Sequence, residues 1–297
     1  MSDFAHLHLH SQFSLLDGAN RLDDVLAAAA AAGQPAIALT DHGNLFGAID
    51  FYNKAKKHGV KPIIGIEAYV AMGSRLDRTP GRGSSNHLVL LAKNEAGYRN
   101  LLKLTSASFL EGFYYKPRID KELLAKHSEG LICLSACLKG EINEKITQGR
   151  EKDAEIAAKE FLDLFGEGNY FLEMQDHGIP EQRHANEVVR RMAARNGIPL
   201  VVTNDCHYLR KDDHFAHDIL LCIGTQKTFQ DPDRLRYASN EFYMKTATEM
   251  HAVFPNDHAA IENTLRIAEM CNLTIPTGTF HLPEFPVPEG ATLEGYF

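Results

Sequence analysis

The chain has 297 residues, is 44% hydrophobic and 24% charged, and carries a net charge of −8 at neutral pH. Such a composition builds a sizeable globular core, and the acidic balance argues against a broad basic surface for nucleic acid. The five cysteines (133, 137, 206, 222 and 271) are few and odd in number, and the longest apolar run, VLAAAAAAG, is too short to cross a bilayer. Free thiols in a reducing cytoplasm are therefore expected, not a disulfide framework or a membrane span.

The opening MSDFAH has no basic stretch followed by an apolar one, so no secretion signal is expected. FAHLHLH (4–10) reads as the first strand, and RLDDVLAAAAAAG as a helix stopped by its glycine. PAIALTD (35–41) and KPIIGIEAYV (61–70) are strand-like runs separated by the helix FGAIDFYNKAKKHG. The stretch 73–86, rich in Gly and Ser, carries Arg75, Arg78 and Arg82 and reads as a mobile loop. NHLVLLA (86–92), GLICLSAC (130–137), NYFLEMQ (169–175) and PLVVTND (199–205) follow, with helices at NEAGYRNLLKLTSASFLEG, EKDAEIAAKEFLDLFG and PEQRHANEVVRRMAARNG between them. Nearly continuous apolar strands alternating with helices predict an α/β fold, a seven-stranded parallel (β/α) barrel, with an open doubly wound sheet as the alternative.

After about residue 210 the alternation stops, and HFAHDILLCIG and HAAIENTLRIAEMCN predict a helical extension to about residue 280. Residues 281–297 are rich in proline and read as a linker towards a further domain.

Metal-ligand residue types gather at the ends of these strands, where barrel enzymes place their chemistry. His8 and His10 share one face of the first strand by period-two alternation, with Asp17 shortly after. Asp41 and His42 end the second, and Glu67 sits late in the third, where an unpaired charge would be costly. Cys137 ends the fifth, and Asp205 and His207 the seventh. His87 stands at the start of its run, so either its strand begins earlier or the residue approaches the site from a different angle. Each item has a plainer explanation: a polar strand face for HLH, a helix cap for Asp41, an ion pair for Glu67, a small core residue for Cys137. Together, nine such residues exceed one four-coordinate zinc site and suit a multinuclear cluster of Zn, Mn or Fe. Such a cluster activates water and clamps a phosphoester.

HLHLHSQFSLLDG, ALTDHGNLFG, KPIIGIEAYV, EGFYYKPRID, LSACL and TNDCHY, in that order, resemble the polymerase-and-histidinol-phosphatase (PHP) domain family, in the form carried by bacterial replicative DNA polymerases. The resemblance spans nearly the whole chain. It implies a distorted seven-stranded (β/α) barrel resembling a TIM barrel over about 1–210, within a metal-dependent phosphoesterase domain over 1–280. It implies that His8, His10, Glu67 and Asp205 hold one divalent metal, that Asp17, His42 and His207 hold a second, and that Glu67, His87 and Cys137 hold a third. His8, His10, Glu67, Asp205 and His207 would then be the catalytic core. Stand-alone phosphatases of the family often carry histidine where this chain has Asp17 and Cys137.

The activity implied is 3′→5′ exonuclease proofreading of a DNA 3′ end, with the rest of the polymerase chain and a separate proofreading exonuclease subunit as partners. The alternative implied is a metal-stabilised scaffold that docks that subunit. A small-molecule phosphatase is a third class, disfavoured by the helical tail. Lys116 and Arg118 are candidate phosphate contacts, and Tyr114 and Tyr115 candidate stacking surfaces. His177 could neighbour the cluster, whereas His6 lies deeper and Cys206 points away from it. His214, His217, His251, His258 and His281 read as ordinary surface or core residues.

Overall fold

A computed structural model describes residues 3–79, 85–276, 278 and 285–297. In chain order the elements are α1 (Leu22–Ala31), β1 (Ala36–Leu39), α2 (Ala48–Lys57), β2 (Lys61–Ala71), β3 (Ser85–Ala92), α3 (Glu95–Leu110), β4 (Arg118–Ile119), α4 (Lys121–Lys126), β5 (Leu131–Leu134), α5 (Glu141–Thr147), α6 (Glu151–Phe165), β6 (Tyr170–Met174), α7 (Pro180–Asn196), β7 (Leu200–Val202), α8 (His214–Thr225), α9 (Ala247–Val253), α10 (His258–Met270) and α11 (Leu293–Tyr296). The starts follow local chemistry. Asn94 and Asp120 cap α3 and α4 with their side chains, Pro180 opens α7, and Thr246 with Glu249 forms a reciprocal cap on α9.

The strands form one curled sheet in the order β1-β2-β3-β5-β6-β7, with β4 paired to β2. The architecture is the expected α/β one, a distorted barrel resembling a TIM barrel, but two expectations need correction. Residues 4–10 form no regular strand. They lie between β1 and the end of β7 and touch each by single bridges, His6 to Ile37 and Leu9 to Cys206. Their backbone groups are shared out among unlike partners, the Leu9 N–H going to Thr40 Oγ1 and the His10 N–H to the Cys206 carbonyl, so no ladder forms. This segment nonetheless closes the sheet.

The second correction is to the all-parallel sheet. β3 runs antiparallel to both β2 and β5. A parallel pair needs a long crossover, usually a helix, and none lies among the described residues between β2 and β3. The Gly- and Ser-rich stretch there carries no helical pattern in its sequence. The reversal brings the start of β3 to the same rim as the ends of its neighbours, with His87 opposite Tyr69.

Alternation sorts the core. Ile63, Val89, Leu91, Ile132, Leu134, Phe171 and Val201 fill the interior. Their neighbours Ile64, Leu88, Leu90, Cys133 and Leu172 pack outward against the helices. The far end of the interior is closed by α10, whose Ile267 and Ala268, with Cys271 just past its end, join the inner cluster. Burying a side chain such as Ile267 contributes about 1.5–3 kcal/mol. The helical extension is thus packed into the barrel's own core. No helix among the described residues is long and apolar enough to cross a membrane.

Candidate metal centre

The polar rim lies opposite α10. On β2 the inward parity runs through Ile63 and Gly65 to Glu67, whose side chain is 1% exposed. Beyond β1 the ladder with β2 continues as a bridge between His42 and Glu67, which brings that imidazole against the carboxylate. Gly43 follows with φ +61°, and a Cβ there would meet Pro117 and the Tyr69 ring. Two other residues adopt left-handed backbone here, Ala136 (φ 64°) and Asp205 (φ 44°). Ala136 turns the chain past β5 so that Cys137, of the wrong parity for the interior, reaches the cluster. Strain of this kind gathers at functional sites.

All nine expected ligands converge around Glu67. His8 Nε2 lies 3.2 Å from Glu67 Oε1 and 3.3 Å from Asp205 Oδ1, and His10 Nε2 lies 3.1 Å from Asp205 Oδ1. His42 bridges two acids, with Nδ1 2.7 Å from Glu67 and Nε2 3.2 Å from Asp17. His207 Nε2 is 3.8 Å from Asp17. His87 Nδ1 sits 2.9 Å from Glu67 Oε1, and Cys137 Sγ 3.7 Å from His87. The His10 ring stacks between His42 and His207 at 4.1 and 4.3 Å. Three groups of ligand atoms lie close enough to share an ion: His10, His42 and His207; His8, His10 and Glu67; His42, Glu67 and His87.

The donor chemistry fits cations. Among the described residues, seven buried atoms of this cluster have no hydrogen-bond partner: His8 Nε2, His10 Nε2, Asp17 Oδ1, His42 Nδ1, Glu67 Oε2, Asp205 Oδ1 and His207 Nε2. Several lie at ion-pair distance from one another, but without hydrogen-bond geometry. Orphaned buried polar atoms are costly, and here they all face one space. The acids are ready for the role. Burial opposes their ionisation, yet the surrounding imidazoles hold Asp17, Glu67 and Asp205 well below the usual carboxylate range. Burial and Glu67 push the Cys137 thiol up, a trend that a bound cation reverses. Burial and its neighbours His42 and His207 push His10 down to about 3. Burial opposes protonation of His42 as well, but Asp17 and Glu67 hold it at about 10.

Residues that the sequence reading did not single out set the orientation. Glu173, buried on β6, meets His8 Nδ1 at 2.7 Å and accepts the Ala136 N–H at 2.9 Å, so the His8 Nε2 edge is turned to the cluster. Ser14 Oγ meets His10 Nδ1 at 3.0 Å, and Tyr237 donates to Asp17 at 3.3 Å. Glu173 carries the same signal as Glu67, a carboxylate inside an apolar strand. Tyr237 has no signal in its local sequence.

The other expectations divide. Lys116 lines the cleft, with its ammonium 5.2 Å from the Tyr69 ring centroid. Arg118 is corrected. It is fully buried, and its guanidinium donates to the carbonyls of Gly112, Arg75 and Asp77, so no phosphate reaches it. Arg118 also packs on Tyr114, while Tyr115 is exposed. Asp41 caps no helix; it accepts from the Ser11 N–H and the Ser11 and Ser14 hydroxyls. Arg75 pairs with Glu111 and Asp120, and Arg78 reaches the Glu111 carbonyl. Arg82 and His281 lie outside the described residues. His177 meets the Asn204 carbonyl and stacks on Phe242, off the cluster. His6 and Cys206 face each other at 3.4 Å in a separate network. In the tail, His217 is buried against the Asp17 carbonyl, while His214 meets the Lys211 carbonyl and His251 pairs with Asp3. His258 lies beside His251.

The cluster floors a cleft of about 590 Å³ walled by Phe46, Tyr69, Phe109, Lys139, Arg236 and Tyr237 among others. The chain is 51% identical over 288 residues to a DNA polymerase III subunit alpha from Treponema pallidum, covering 96% of this chain and 24% of that protein. It is 49% identical to the same subunit from Thermus aquaticus, over 99% of this chain and 25% of that one. The chain thus spans about a quarter of the length of these curated relatives. A solved amidohydrolase from Chromobacterium violaceum matches 68% of this chain and 87% of its own at 17% identity and a TM-score of 0.37. Residues 6–177 match the profile described as the PHP domain. That is more than half of the chain, and the chain belongs to the PHP domain family.

Proposed function

We propose that this domain hydrolyses phosphodiesters with two or three divalent ions, Zn, Mn or Fe, and that its substrate is the 3′ end of single-stranded or frayed DNA, as a 3′→5′ exonuclease serving a replicative polymerase. The observation that carries the reading is the set of seven buried, hydrogen-bond-free donor atoms converging under one open cleft. His8, His10, Glu67 and Asp205 would hold one ion. Asp17, His42 and His207 would hold a second, and Glu67, His87 and Cys137 a third, with Glu67 shared. When bound, such ions lower the pKa of water and neutralise charge on attacking and leaving oxygens.

The chain's own residues supply the rest. Glu173 and Ser14 fix the His8 and His10 rings. His42, held between Asp17 and Glu67, keeps both acids in place. Lys116 stands in the cleft where a flanking phosphate would lie. Residues 1–280 would act as one unit, with 281–297 leading to the polymerase part of the chain. The test is metal analysis together with digestion of single strands carrying a 3′ mismatch. Metal-free protein as purified, or full nuclease activity in His8→Ala, would sink the reading.

One observation favours a second role. The ligands come from the opening segment, β2, β3 and the chain beyond β1, β5 and β7, so bound ions would also staple the barrel where residues 4–10 close it. A scaffold that docks a proofreading subunit would show large metal-dependent stabilisation and no turnover.

A further inference from the structure

One wall of the cleft is unusual for a soluble surface. Phe46 and Phe109 on that wall, and Phe113 next to Phe109, are 60%, 41% and 49% exposed, and they stand in a row. Ring centroids are 6.3 Å apart from Phe46 to Phe109 and 6.2 Å from Phe109 to Phe113. Exposed apolar patches that rim a polar site mark binding surfaces. The row is tied to the ligand cluster through the chain. Phe46 stands four residues after His42, in a loop that Asn44 pins by donating to the Phe13 and His42 carbonyls and by accepting the Phe46 N–H. Phe46 and Phe109 line the same cleft as Glu67, His87 and Asp205. Lys116, Lys139 and Arg236 line it too, so the cleft offers cations in a chain whose net charge is −8.

We propose that Phe46, Phe109 and Phe113 form a stacking shelf for unpaired bases of a single-stranded nucleic acid whose phosphate backbone runs along the cleft towards the ligand cluster. The inference rests on the phosphodiester reading and adds how the strand is recognised. Aromatic faces accept any base once it is unstacked, so the shelf selects single strands or frayed ends over intact duplex without reading sequence. A small phosphomonoester would need no such row. A docked protein would use the apolar rings but not the cations and the ligand cluster beside them, which is why nucleic acid is favoured.

The test uses the intact protein, stripped of metal with chelator so that no turnover intervenes. The probe is oligothymidylate ending in 2-aminopurine, whose fluorescence falls when its base stacks. Phe109→Leu and Phe46→Leu keep apolar bulk but remove the ring, and thermal melts check that both fold. Wild type is expected to bind with quenching, and each variant to bind about 5- to 150-fold more weakly with the quench reduced. Equal binding and quenching in both variants would overturn the shelf. So would binding by wild type without any quench, or unchanged binding coupled to a fall in solution mass, which would make the row a protein contact. Failure of the metal-loaded protein to cut any phosphodiester would count against the proposed reaction alone, because the quench is read without catalysis.

Discussion

His6 and His8 are two residues apart, both fully buried, and they belong to opposite kinds of environment. His6 sits in a closed network. Its ring meets the Lys245 carbonyl at 2.8 Å and Cys206 Sγ at 3.4 Å, and Lys245 in turn reaches Asn204 and Glu241. His8 faces Glu67, Glu173 and Asp205. Burial pushes both imidazoles down, and only partners decide the outcome. It wins at His6, which falls to about 4, whereas at His8 Asp205, Glu173 and Glu67 override it and raise the ring well above its usual range. The closed network satisfies its polar atoms internally and serves the fold. The open cluster leaves its atoms unpaired and accumulates negative charge, an arrangement that a cation completes.

The largest effect should come from the centre of the open cluster. Glu67→Gln keeps the shape and removes the charge shared by His8, His42 and His87. Metal content, read by elemental analysis, should collapse, and phosphodiester hydrolysis should fall by more than about 100-fold, beyond the range for outer partners of metal ligands. Retained metal would erase the contrast with the closed network. Glu173→Gln tests the border between the two regions, because Glu173 is hydrogen-bonded yet touches His8. Metal affinity should fall about 10- to 100-fold, read by competition with a chelating dye. It should also destabilise metal-stripped protein, by about 1–3 kcal/mol, since buried partners are left unmatched.

The barrel class and the gathering of His8, His10, His42, Glu67, Asp205 and His207 at one rim were legible in the sequence because period-two alternation and strand ends are local signals, whereas the division of nine residues among three metals rested on the family resemblance. What was not legible depends on tertiary partners. The direction of β3 follows from the missing crossover helix, and with it the place of His87. The burial of Arg118 depends on carbonyls at Gly112, Arg75 and Asp77 that no spacing reveals. Tyr237 reaches Asp17 from 220 positions away. Asp41 shows the reverse case, a residue with an obvious local role as a cap that the fold uses instead to hold Ser11 and Ser14.

The closed network predicts a pH dependence. His6 is neutral in the folded chain, with its pKa lowered from 6.5 to about 4 chiefly by burial. Between those values the unfolded chain binds a proton that the folded chain refuses, so the stability from this group is complete above about pH 6.5 and is lost as pH falls towards 4. At pH 5 the loss is on the order of 2 kcal/mol. Urea unfolding of metal-stripped protein at pH 7 and pH 5 reads it, and His6→Gln should reduce the difference by about that amount without abolishing it, because burial also lowers His177 and His217 to about 4. A dependence unchanged by that substitution would remove His6 as its source.

The smallest effect separates Lys116 from Arg118, neighbours in the same motif with opposite fates. Arg118 is structural, whereas Lys116 is in the cleft and its ammonium touches the face of Tyr69. An exposed cation contributes at most about 1 kcal/mol to an ionic contact. Lys116→Ala should therefore raise KM for a single-stranded oligonucleotide by no more than about fivefold, with kcat and melting temperature held. Raising the salt concentration should shrink the difference between variant and wild type, because the lost contact is electrostatic and open to screening. A fall in kcat with KM unchanged would instead place Lys116 at the reacting phosphate, inside the open cluster's reach. No change at any salt concentration would confine substrate recognition to the ligand cluster and the aromatic wall.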